Sequence, residues 1–353
     1  MVDHITEITP EPAELASASD PIFIQIRIRI ASLLERQILP SSSRKPVQHS
    51  DVYLFQTGMA SLYYLLRWLP HHKPDSLICW GFAFQSTLQL FSSFGHHVYK
   101  HFIAGNELDT LEAYCAAELA AGRPIQALFT EFPSNPLLVS TDLTRLRQIA
   151  TKYDFLLVVD DTLGSFANID VLGADGADVL WSSLTKSFGG YADLMAGSVV
   201  LNPSSVYHAG LKELFEARYH NDLYIDDAIV LEANSRDYLA RSAVLNSNAF
   251  TIAKWLDERA SNPASTVARV FHPSVRVDGA NYRKRMRAPD KEFVPGYGCL
   301  LSVEFTTHEA MVAWYNVIGR YVHVGPHLVS RSEHSLLRFI CCAHLCFSLE
   351  RAH

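Results

Sequence analysis

The stretch VVDDTLGSFANIDVLGADGADVLWSSLTKSFGGYADLMAGSVVLNP, Val158–Pro203, decides the fold. A buried-type apolar run ends in two acids, Asp160 and Asp161. A second run, DVLW, ends in the hydroxyl-rich SSLTK, and a third is GSVVL. Apolar runs of this length, bounded by Gly and small polar residues, predict strands covered on both faces. Upstream the pattern repeats. VYLFQ precedes MASLYYLLRWL, SLICW precedes STLQLF, HHVYKHFI precedes LDTLEAYCAAELAAG, and IQALFTEF precedes LTRLRQIATKY. Strand followed by helix, many times over, requires crossover connections and therefore a mainly parallel sheet with helices on both faces. In such α/β sheets ligands sit at the carboxyl ends of strands, so the loops after Gln56, Trp80, Phe132, Asp161 and Leu184 are those to inspect.

Outside this region the character changes. Ile22–Ile38 reads as a helix, followed by the polar SSSRKPVQHS, and together they suggest an N-terminal arm and linker over residues 1–48. A large domain is expected over 49–242, and after Leu201 the character changes to long helices, notably over the region from Asp227 to Ala260. A smaller α+β domain is expected over 243–353, with TVARVF and CLLSVEF as strands and EAMVAWYNVIGR as a helix. The 353 residues carry 30 Lys and Arg against 37 Asp and Glu, a net charge of −7, with no dense basic block. That balance argues against nucleic acid as a partner. No apolar run reaches the length of a bilayer span and the first residues have no signal-peptide pattern, so a soluble protein without an anchor is expected. Six cysteines without framework spacing suit the cytosol.

Three loops carry chemistry. In TGMAS, Gly58 and Met59 open a helix, where backbone N–H groups and the helix dipole favour a phosphate. At the end of VVDD one of two adjacent acids can point into a site while the other is solvated or caps the next turn. In SSLTK, Ser183 and Thr185 bracket Lys186, which puts an amine among hydroxyls. A phosphate cradle, a strand-end acid and a lysine flanked by hydroxyls are together the parts that hold pyridoxal phosphate.

The motifs VYLFQTGMASLYY, TEFPSNPLL, Val158–Pro203 and DDAIVLEANSRDYLARSAVLNSNA occur in order between about Ile26 and Gly325. Through them the chain resembles the Cys/Met-metabolism (trans-sulfuration) family of pyridoxal-phosphate enzymes, and within it the fungal cystathionine gamma-synthase branch. The resemblance implies the type I, aspartate-aminotransferase-like fold. By position it implies that Lys186 holds the cofactor and moves protons, that Asp160 pairs with the pyridine nitrogen, and that Gly58, Met59, Ser183 and Thr185 hold the phosphate. Asn135 would face the cofactor, and Phe84 would stack on its ring where the family normally has Tyr. The activity implied is γ-replacement on an O-acyl-L-homoserine, with cysteine or, in a secondary-metabolism relative, another nucleophile. γ- or β-elimination, and a catalytically impaired homologue serving as a binding or assembly subunit, are the alternatives. A homodimer or homotetramer is implied as well.

The two ends depart from the family pattern. No Tyr-x-Arg element precedes Ile26, and after about residue 329 the chain runs SRSEHSLLRFICCAHLCFSLERAH. Arg338, in LLRF, is the candidate for the arginine that binds the substrate carboxylate. Cys341, Cys342, His344 and Cys346 lack the paired spacing of a structural zinc site, so no metal is expected. The pairs His71–His72 and His96–His97 read as solvated surface.

Overall fold

In the computed structural model, residues 20–38, 44–69, 76–94, 98–104, 107–173, 175–321, 327–331 and 334–340 are described, with side chains described only up to residue 317 and not at 94–99. The histidine pairs and the tail cysteines lie outside these residues.

Among the described residues seven strands form the large sheet: β1 (Val52–Phe55), β2 (Ser76–Trp80), β3 (Val98–Phe102), β4 (Ala127–Glu131), β5 (Leu156–Asp160), β6 (Val179–Ser183) and β7 (Gly197–Leu201). Their order is β1-β7-β6-β5-β4-β2-β3, and only β7 runs antiparallel to its neighbours. Burial follows the two-residue period of a strand. Leu157, Val159 and Leu180 pack on one face of the sheet, and Leu156, Val158, Val179 and Trp181 on the other. Both faces are therefore covered, as the continuous apolar runs require.

The helix Pro21–Leu34 starts where Asp20 accepts the Ile22 N–H at 3.0 Å and Pro21 supplies a ready-made φ. It buries Phe23, Ile26 and Ile30 completely in the core of the large sheet. Its last carbonyls are capped from inside, with Arg287 donating to Leu34 O at 3.0 Å. The segment read from sequence as an arm is thus docked on its own chain: the i, i+4 apolar period announces a buried face but not what covers it.

The long helical region divides into Ile225–Asn234, a turn of 3₁₀ helix and Tyr238–Ala260. At the break Arg29 donates to Glu232 O at 2.7 Å and to the Ser235 hydroxyl at 2.6 Å, so the turn between the two helices is fastened to the first helix of the chain. The helix Tyr238–Ala260 then bridges two cores. Tyr238 belongs to the large-sheet core, while Ala249, Ala253 and Leu256 pack on the second sheet. That sheet is antiparallel throughout, in the order β10 (His327–Arg331), β11 (His334–Ile340), β9 (Leu300–Phe305), β8 (Val267–Phe271).

Candidate active site

Asp160 closes β5, opposite Glu131 of β4 and Trp181 of β6. Its Oδ1 accepts the Thr162 N–H at 2.8 Å, and the Thr162 hydroxyl accepts the Ser183 N–H at 2.8 Å. One threonine therefore ties the acid's strand end to the start of the lysine loop. Burial pushes the Asp160 carboxyl up to about 6, against the opposing pull of the Thr162 hydrogen bonds. Asp161 is buried, and burial together with the Asp160 charge pushes it up to about 8. The Ser182 hydroxyl and Arg287 guanidinium offset this only in part, and among the described residues neither Asp161 oxygen has a donor in bonding geometry.

The second element is the N-terminus of the helix Gly58–Trp68. Thr57 caps it by accepting the Ala60 N–H at 2.8 Å. The Gly58 and Met59 N–H groups come before the first intrahelical bonds and have no partner within the helix. Met59 packs its side chain on the apolar face, so its backbone is the part available to an anion. Trp181 Nε1 donates to Gly58 O at 2.8 Å. A Cβ on Gly58 would stand 2.8 Å from the Ser183 Cβ, so only glycine lets the helix start lie against the end of β6.

The third element is the turn after β6. Lys186 is exposed there, with Gly190 N–H donating to its carbonyl at 2.8 Å. The Thr185 hydroxyl lies 3.0 Å from Ala196 N and 3.2 Å from Ala196 O, fastening this turn to the approach of β7. A hydroxyl has one proton to give, so Thr185 donates either to Ala196 or to a phosphate.

On the other flank, Glu131 joins two loops. Its Oε1 accepts the Phe84 N–H at 2.5 Å and its Oε2 the Asn135 N–H at 2.8 Å. Phe84 is 44% exposed and Asn135 half-buried. Strand β11 sets Arg338 opposite Ser302 of β9, whose hydroxyl donates to Pro136 O at 2.7 Å. The backbone of Arg338 is thus one strand away from the loop that carries Asn135; its side chain lies outside those described.

Contacts thus bring Gly58, Met59, Asp160, Ser183, Thr185 and Lys186 to adjoining strand ends, with Phe84 and Asn135 linked to the same edge through Glu131. Sequence reasoning missed Thr162, Glu131 and Trp181. All three stand inside the quoted motifs, but each also bonds a residue distant in the chain: Thr162 with Ser183, Glu131 with Phe84 and Trp181 with Gly58. This donor set fits pyridoxal phosphate: a helix start that a Cβ would obstruct, a hydroxyl beside it, a strand-end acid and an exposed amine. Among the described residues no group of His, Cys, Asp and Glu is arranged to hold a metal.

Residues 37–314 match the model of the Cys/Met metabolism PLP-dependent enzyme family. The chain is 36% identical over 313 residues to an alanine racemase of Aspergillus violaceofuscus, covering 86% of this chain and 53% of that one. It is 38% identical over 300 residues to a cystathionine gamma-synthase-like enzyme of Amanita muscaria, covering 80% and 47%. With the cystathionine gamma-synthase of Neurospora crassa the identity is 35% over 299 residues, covering 81% and 45%. The chain spans about half the length of these relatives. Its fold matches that of cystathionine gamma synthase from Xanthomonas oryzae pv. oryzae in complex with cystathionine, with a TM-score of 0.72, 22% identity and 99% and 89% of the two chains covered. With a family model over most of its length and relatives above 30% identity, the chain belongs to the Cys/Met-metabolism family of pyridoxal-phosphate-dependent enzymes, and pyridoxal phosphate is its cofactor.

Proposed function

We propose that this chain catalyses γ-replacement on an O-acyl-L-homoserine, in which the thiol of cysteine or another nucleophile displaces the acyloxy group at Cγ. The observation that carries the reading is the meeting of Asp160, Ser183 and Lys186 at neighbouring strand ends beside the helix start at Gly58. Cystathionine gamma-synthases among the relatives supply the reaction class.

Bound pyridoxal phosphate supplies an electron sink for the bond broken at Cα of the amino acid. The residues divide the remaining work. The Gly58 and Met59 N–H groups and the Ser183 hydroxyl hold the phosphate at the positive end of a helix. Asp160 keeps a proton on the ring nitrogen, and the resulting cation draws a carboxyl near 6 back towards its ionised form at neutral pH. The Lys186 amine would take the proton from Cα and then one from Cβ, so that the Cγ–O bond breaks and the acyloxy group leaves as a carboxylate; the nucleophile then bonds to Cγ, and protons are returned to Cβ and Cα. Positioned proton transfer of this kind contributes roughly 10²–10⁴-fold in rate. Asn135 would face the cofactor, and Phe84 would stack on its ring without supplying a hydroxyl. Arg338 clamps the substrate carboxylate, a role supported by its register opposite Ser302.

The reading includes a homodimer or homotetramer in the cytosol, acting on small amino acids and not on nucleic acid. Among the described residues no cysteine forms a disulfide, and no helix is long and apolar enough to cross a membrane.

The test is product analysis with O-acetyl- and O-succinyl-L-homoserine, with and without cysteine. Cystathionine that forms only with cysteine is the expected result. 2-Oxobutyrate alone would replace this reading with elimination, and interconversion of alanine enantiomers with no γ-product would replace it with racemisation. A protein that takes up no pyridoxal phosphate would point to the binding-subunit alternative. Arg338→Ala is expected to raise KM for the amino acid about 10-fold or more while the cofactor's visible band persists. An unchanged KM rejects Arg338 as the clamp.

A further inference from the structure

The DDAIVLEANSRDYLARSAVLNSNA segment contains none of the residues assigned above, yet one of its side chains reaches the lysine loop. Arg241 lies near the start of the helix Tyr238–Ala260 and is only 7% exposed. Its Nη2 donates to Phe188 O at 2.9 Å and approaches Ser187 O at 3.2 Å, the two carbonyls that follow Lys186. Its Nη1 donates to Asn234 O at 3.1 Å and pairs with Asp237. The guanidinium carbon stands 4.9 Å over the ring of Tyr191. The remaining nitrogen, Nε, is buried against the chain at Gly190, where a Cβ would fall 2.3 Å from it. Gly190 also has φ +80°, in the left-handed region, and its N–H closes the turn on Lys186 O.

We propose that Arg241 is a positioning residue for Lys186: its guanidinium fixes the 187–190 turn from beneath and thereby sets the direction of the lysine amine. The inference rests on the assignment of Lys186 as the cofactor lysine. The chemistry favours arginine for this task. A planar fork meets several carbonyls at once at low entropic cost, whereas a lysine ammonium at the same place is a single point charge. The carbonyls it engages belong to the turn itself, so a small loss of order there is transmitted to the amine. Misplacement of about 1 Å at a reacting group costs on the order of 100-fold in rate.

The test approaches the contact from both sides with Arg241→Lys and Gly190→Ala, alone and combined, in the full chain loaded with pyridoxal phosphate. A fixed lysine gives the bound chromophore a strong induced circular dichroism in the visible. Each variant is expected to reduce that signal to about half or less, and the double variant to be no worse than the poorer single one, because both break one contact. With the homoserine ester and cysteine, kcat is expected to fall about 10-fold while KM stays within about threefold. The dichroism needs no substrate, so it stands whether or not the homoserine ester is the substrate. Wild-type dichroism in both variants, with lowered thermal stability as the only change, would mean that Arg241 is an architectural support, and would overturn the inference. Insolubility of both variants would count the same way. Lys186→Ala is the separate control: if it keeps the wild-type visible band, the assignment of the lysine fails and the inference falls with it. Band loss there combined with normal dichroism in the Arg241 variant overturns the inference alone.

Discussion

The two acids at the end of β5 show how neighbouring residues of the same type diverge in chemistry. Asp160, the last residue of β5, and Asp161, the first beyond it, meet different surroundings. Asp160 keeps a hydrogen bond from Thr162, while Asp161 meets burial and its neighbour's charge. An acid held near 8 in the folded protein and near 4 when unfolded retains its proton between those values only in the folded state. The sign follows from linkage. Below about pH 4 both states are protonated and the group contributes nothing; as pH rises towards 8 the unfolded state gains by ionising, and stability falls by about 1.4 kcal/mol per pH unit before levelling off. Asp161→Asn removes the ionisation and keeps the shape. Its melting temperature is expected to exceed the wild type's at pH 8 by clearly more than at pH 5. Parallel melting-temperature curves for the two proteins across that range would show that Asp161 is not the titrating group.

At the scale of elements, the site depends on how closely a helix start can lie against a strand end. Gly197 of β7 pairs with both Phe55 and Ser183, and a Cβ there would meet Thr57 O at 2.4 Å. With the Gly58–Ser183 contact, this makes three backbone segments converge without side chains between them. Gly58→Ala is expected to force that junction apart and weaken pyridoxal phosphate binding by at least about 10-fold, with the sheet still formed. Equilibrium dialysis of the cofactor alongside far-ultraviolet circular dichroism measures both; unchanged affinity would remove Gly58 from the phosphate cradle. The sequence makes this junction legible because small residues and apolar runs are local signals. It is silent on Glu131, whose carboxylate links Phe84 to Asn135 across 51 residues of chain, and on Arg29, which bonds Glu232 O and the Ser235 hydroxyl where the helical region breaks. Those effects arise from tertiary hydrogen bonds, which leave no period in the sequence.

Across the whole molecule the question is what couples the small sheet to the cofactor edge. Asn168, eight residues beyond Asp160, and Asn246 of the bridging helix exchange hydrogen bonds at 2.7 and 3.2 Å. Their oxygens also accept the N–H groups of Gly296 at 2.9 Å and Gly298 at 3.0 Å, just before β9. A Cβ on Gly296 would meet Asn246 at 2.6 Å, so the loop is seated directly on the amide. From there β9 leads to Ser302, which bonds Pro136 O, and to the register that carries Arg338. The large sheet, the bridging helix and the small sheet that carries Arg338 are thus joined at a buried amide pair. Asn246→Ala leaves several buried groups without partners, each costing roughly 1–3 kcal/mol. Asn246→Asp keeps an acceptor for Gly298 but withdraws the donor to Asn168 and adds a buried charge, so it is expected to be the more damaging at pH 7 and to recover towards pH 5 as the carboxyl protonates. Calorimetry of both variants at the two pH values checks this. If the pair is the joint between the two sheets, the alanine variant is also expected to split one unfolding transition into two; a single transition at wild-type temperature would place the coupling elsewhere.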